Sequence, residues 1–98
     1  MMFLARVHKH PDEIILAVCD AEIIGETFRG GGLRIDVSRG FYGGDETTEE
    51  ELLRAFGNAT VINLVGNRAV ELAVNAGIVD PARVIVIGGV KHAQAVIM

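Results

Sequence analysis

Tryptophan is absent from this sequence of 98 residues, cysteine and tyrosine occur once each, and proline occurs twice. A lone Cys19 rules out an intrachain disulfide and suits a reducing compartment. Long apolar runs are missing too: none approaches the ~18 residues that a membrane-spanning helix requires. The opening "MMFLARVHKHPDE" carries an apolar stretch too short for a secretory leader, with charges and Pro11 following at once. The expectation is therefore a cytoplasmic protein with no membrane partner. Basic residues are few, nine Lys and Arg against thirteen Asp and Glu for a net charge of -4, and they are scattered from Arg6 to Lys91. Nucleic-acid binders draw much of their affinity from neutralising phosphates, so this balance disfavours RNA as the main partner while leaving a local arginine cluster open.

What remains is a foldable chain. Half the residues are hydrophobic and 22% are charged, which excludes global disorder. Residues 1–98 suit one domain, which at this length buries roughly 65% of its unfolded surface. Phe3 to Lys9 alternates as a strand, "HPDE" turns, and the nearly continuous apolar run Glu13 to Cys19 reads as a central strand, so the pair is expected to form a hairpin. Asp20 is placed to cap a short turn over "AEIIGE". "RGGG" at 29–32 is a turn, and Leu33 to Val37 is a half-solvated strand with Leu33, Ile35 and Val37 inward. The sharpest local signal is Thr48-Glu49-Glu50-Glu51, a capping box opening a helix whose apolar face is Leu52, Leu53 and Phe56 and whose stop is Gly57. Ala59 to Gly66 reads as a strand. From Asn67 the period changes to 3.6, with Ala69, Val70, Ala73 and Val74 on one stripe and Gly77 past the helix end. "VIVIGG" reads as a buried strand and "VKHAQAVIM" as the last. The pattern predicts one small α/β or α+β domain: a mixed sheet with an N-terminal antiparallel hairpin, a C-terminal βαβ unit and two short helices. Two short helices leave much of one sheet face bare, which implies self-association or another protein partner.

Candidate chemistry gathers in three places. The strand-to-helix turn Asn63-Leu64-Val65-Gly66-Asn67 aims free backbone amides upward, and Arg68 adds charge, which suits a phosphate or carboxylate. The same asparagines equally serve to satisfy the turn and cap the helix. No dinucleotide or P-loop glycine pattern accompanies them, so no cofactor is predicted. In the final strand His92 and Gln94 share one face, so they either line a pocket or tie down backbone. Cys19-Asp20 ends the second strand, where a thiolate activated by His92 would make a nucleophilic pair, although a lone apolar-strand cysteine is ordinarily core. His8 and His10 with His92 would suit zinc only if the fold joined them, and no metal site is predicted. Phe41 and Tyr42, between glycines, offer either an exposed contact for a partner or base, or a plug in the core.

Four segments, "VCDAEIIGETF", "FYGGDETTEEE", "ATVINLVGNRAVELAVNAGIVD" and "VIVIGGVKHAQ", resemble the archaeal family designated domain of unknown function 424, over nearly the whole chain. That resemblance picks out Cys19-Asp20, Gly25, Phe41-Tyr42, Asn63, Gly66 and His92-Ala93-Gln94, with Ile62 standing where the family pattern has a smaller alanine. It implies an archaeal, cytoplasmic protein and supplies no activity. The first expectation is a non-catalytic binding or adaptor module, such as one serving information processing. The alternatives are an enzyme or small-anion binder built around Asn63, Gly66 and His92, and an RNA-binding protein.

Overall fold

A computed structural model describes residues 2–97. Strand β1 (Phe3–Lys9) returns as β2 (Ile14–Asp20) through Pro11 and Asp12, with His10 and Glu13 exchanging both backbone hydrogen bonds. A short 3-10 turn, Ala21–Ile23, leads to the hairpin β3 (Thr27–Gly30) and β4 (Leu33–Asp36). Its two turn residues, Gly31 and Gly32, both hold positive φ, as a type I′ turn demands. Helix α1 (Arg39–Tyr42) is one turn long, started by the Ser38 hydroxyl accepting from the Phe41 N–H. It is a third helix beyond the two expected. Strand β5 (Asp45–Thr47) precedes α2 (Glu49–Phe56), where the capping box of Thr48 and Glu51 is present in full. Strand β6 (Val61–Val65), helix α3 (Asn67–Asn75), β7 (Ile85–Ile87) and β8 (Val90–Val96) complete the chain.

Six strands form one mixed sheet in the order β5-β1-β2-β6-β8-β7, and β3-β4 stands apart. Among the described residues only β2 and β6 are parallel neighbours. Gly88 and Gly89, at positive φ, fold β8 back antiparallel against β7, and β8 then inserts beside β6. The β6-α3-β7 unit is thus split: β6 and β7 run the same way with β8 between them. β7 lies at the sheet edge, so Ile85 and Val86 are 44% and 59% exposed rather than buried as their apolar run suggested.

The two faces carry separate cores. The first face supplies Phe3, Leu16, Val18, Ile62, Leu64, Ala93 and Ala95, sealed by Leu52 and Phe56 of α2 and by Ala69, Val70 and Ala73 of α3. The second face supplies Ala17, Cys19 and Val65, covered by Val37, Tyr42, Phe28 and Ile35 from the hairpin and α1. Two inward assignments fail: Leu33 sits beside the hairpin turn and Leu53 on the outer side of α2, at 52% and 44% exposure. The second face is therefore bare over one half only. Register places Ile15, Val61 and Val96 in one row across that uncovered half, with His8 at the β1 end of the row beneath Phe41.

Candidate functional site

The junction where β6 gives way to α3 is filled from inside. Gly66 caps the helix at φ 117°, and its N–H donates to the Lys91 carbonyl at 2.9 Å. The free amides of Arg68 and Ala69 donate to the two oxygens of Asp20, at 3.1 and 2.8 Å. Asp20 ends β2, is 4% exposed, and makes no capping bond to its own turn. The residue expected to cap the next segment instead caps a helix far along the chain, putting a carboxylate against the positive end of its dipole. Burial pushes the Asp20 carboxyl above its ordinary value, against the pull of the two amides and the Arg68 guanidinium. Only glycine fits at 66, because a Cβ there would overlap the Asp20 carboxylate.

The neighbouring side chains are similarly occupied. Arg68 donates to Glu22 at 2.5 Å and to the Met2 carbonyl at 3.2 Å, while its guanidinium lies 4.8 Å from the Phe3 ring centroid. Its hydrogen bond holds the Glu22 carboxyl below the usual carboxylate range. Asn67 accepts the Lys91 N–H at 2.9 Å and donates to the Gly89 carbonyl at 3.4 Å, which fastens α3 to the β7–β8 turn.

A second group crosses the middle of the sheet. Asn63 lies between Ala17 and Gln94 in register, and it accepts from the Tyr42 hydroxyl while donating to Gln94 Oε1 at 3.3 Å. Ala17, small and fully buried in the same cluster as Tyr42, leaves room for that ring to reach Asn63. Tyr42 is 4% exposed, so of the two readings it takes the core one and offers no exposed contact. Burial first, and Cys19 second, raise its pKa, so the phenol stays protonated and donates. Phe41 is half-buried, edge-on to Tyr42, and stacked on His8 with ring centroids 4.8 Å apart; His8 Nε2 donates to the Phe41 carbonyl at 2.9 Å.

His92 and Gln94 share a face, as the alternation predicted. His92 Nδ1 donates to the Leu64 carbonyl at 2.8 Å, which leaves Nε2 as the remaining polar atom of the ring. Cys19 and His92 belong to one row, but Val65 stands between them, so they sit two strand spacings apart, roughly 10 Å. The nucleophilic pair is not assembled. Cys19 is fully buried, and burial, followed by the nearby Asp20, pushes its thiol up to about 11. His8 and His92 are three strand spacings apart, roughly 14 Å, and four residues apart along the strands, roughly 13 Å more, which separates the trio considered for zinc. Among the described residues no three His, Cys, Asp or Glu cluster as metal ligands. Hollows elsewhere on the surface, such as those beside Arg68 and Leu72 and beside Val7 and Ile14, are not lined by Asn63, Gly66, His92 or Gln94.

Nor does the β3–β4 hairpin gather free arginines. Arg29 and Arg34 face each other across the β3–β4 hairpin, but Arg34 is bound to Asp36 at 3.0 Å. Sequence reasoning missed two roles. Asp20 as a distant cap has no local pattern, and His8 as the brace under Phe41 depends on α1, which the sequence did not announce.

The fold and the occupied polar groups define a small α+β domain whose candidate catalytic side chains are bonded within the chain. Residues 8–98 match the model of the family described as "Protein of unknown function (DUF424)", and the chain belongs to that family. It is also similar to a crystal structure of an uncharacterized conserved protein from Methanopyrus kandleri, at 25% identity and a TM-score of 0.82. That match covers all of this chain and 93% of the other. No curated protein matches the sequence.

Proposed function

We propose that this is a non-catalytic protein-binding module whose contact surface is the end of the sheet nearest the β1–β2 turn. One observation carries the reading: exposed apolar side chains from both faces converge there. Val7 and Ile14 on the first face are 51% and 36% exposed, Val96 on the second is 64% exposed, and Ile15 and Val61 beside it are half-buried. Apolar surface grouped in this way on a small domain marks a contact site. The polar residues that would serve an anion or a reaction support the same reading by being otherwise engaged: Asp20 takes the helix amides, and Asn63 is held by Tyr42 and Gln94.

The test is reconstitution with a purified partner recovered from the source cells. A single charge at the surface, Val96→Glu or Val7→Glu, is expected to weaken binding about tenfold or more, as burying an unpaired charge does in an interface. His92→Ala is expected to leave the affinity within about twofold, since the ring lies outside the contact. Retained binding by both charged variants, with loss on His92→Ala, would overturn the proposal in favour of a site at the sheet centre.

A further inference from the structure

We infer that the free edge of β1, within the contact surface proposed above and resting on that reading, accepts an extended segment of another protein as an added strand. We further infer that the preferred segment alternates large apolar with acidic residues. The backbone comes first. β5 pairs with β1 only from Phe3 to Ala5 and then leaves through Gly43 and Gly44. Because His10 and Glu13 exchange both hydrogen bonds, alternation turns the backbone groups of His8 and Arg6 toward β2 and those of Lys9 and Val7 outward. Two residues' worth of N–H and C=O thus stand at an open edge, the arrangement that strand addition uses.

The side chains then select the occupant. On the first face, beside this edge, a hollow of about 300 Å³ is lined by Val7, Ile14, Leu16, Ala55 and Ala59, with Lys9 its one charged residue. A residue placed opposite Val7 drops its side chain toward that hollow, and an apolar one fits. Its two neighbours in the added strand project to the second face, beside Arg6 and His8. Neither Arg6 nor Lys9 has a carboxylate within ion-pair distance among the described residues. This edge is therefore basic on a chain of net charge -4, with Asp12, Glu13 and Asp45 only at its two ends. Carboxylates on the incoming strand meet that charge. A second copy does not, because its β1 brings Arg6 and Lys9 rather than carboxylates to the same edge.

The experiment titrates the ¹⁵N-labelled full chain with a capped nine-residue peptide alternating Glu with Leu, and with its Lys counterpart. Binding of the Glu peptide is expected, with the Val7 and Lys9 amides gaining exchange protection and the Lys peptide binding about tenfold more weakly or not at all. Val7→Pro removes an outward N–H that the fold does not use, and proline is tolerated at a strand edge, so the variant should melt normally while losing the peptide. Arg6→Glu, which spares the backbone and lies on the face that meets the carboxylates, should weaken the peptide about tenfold. Failure of the Glu peptide to bind the wild-type chain at millimolar concentration overturns the inference. So does binding that Val7→Pro and Arg6→Glu leave unchanged. In that second case shifts centred on Val61 and Val96 would preserve the broader binding reading while moving the site to the second face. An edge that dimerises, with Val7→Pro restoring the monomer, also overturns the choice of partner.

Discussion

At the scale of single residues, the chemistry suggested by the sequence is spent on holding the fold. Cys19 illustrates how burial decides. Its thiol is fully enclosed between strands, and its pKa stands at about 11 against an ordinary 9.0. Between those values the unfolded chain loses the proton and the folded chain keeps it, so stability falls as pH rises through the window and levels off above it. The wild type should lose about 2 to 3 kcal/mol between pH 9 and 11 beyond what Cys19→Ala loses, measured by urea denaturation. Equal losses in the two proteins would show that the thiol ionises freely. The sequence made Cys19 and His92 a conceivable pair because an imidazole can activate a thiolate. Only the register, which puts Val65 between them, separates the two, and register between distant strands is not written in either strand alone.

At the scale of elements, local signals read well and long-range ones did not. The capping box at Thr48, a glycine turn within 29–32 and the period of α3 are each stated by a few consecutive residues, and the structure has all three, with the turn narrowed to 31–32. Helix α1 escaped notice because a single turn has no periodicity to show. The start of α3 carries a subtler lesson. A glycine between a strand and a helix suggested room for an anion, whereas that space holds the Asp20 carboxylate. Gly66→Ala should therefore cost about 3 kcal/mol, from positive φ and from displacing that carboxylate, in a denaturant titration. A cost under about 0.5 kcal/mol would mean that the carboxylate is not seated as described.

At the scale of the whole molecule, the sequence foretold a mixed sheet with an N-terminal antiparallel pair, and foretold that cover would be short. It did not foretell where. The insertion of β8 between β6 and β7 moves the "VIVI" run to an edge, and the hairpin with α1 shields half of the second face, so the uncovered surface lies at the end of the sheet beside the β1–β2 turn. No helix among the described residues is long and apolar enough to cross a membrane. The central claim is that the α3 junction is closed by the chain's own carboxylate and that binding belongs to the apolar sheet end. The most direct measurement is an amide shift map of the ¹⁵N-labelled chain titrated with inorganic phosphate and ATP. The account predicts no saturable shift at the Arg68 and Ala69 amides. Saturable movement of those two amides, together with release of Asp20 to an ordinary carboxylate titration, would contradict it and return the site to Gly66.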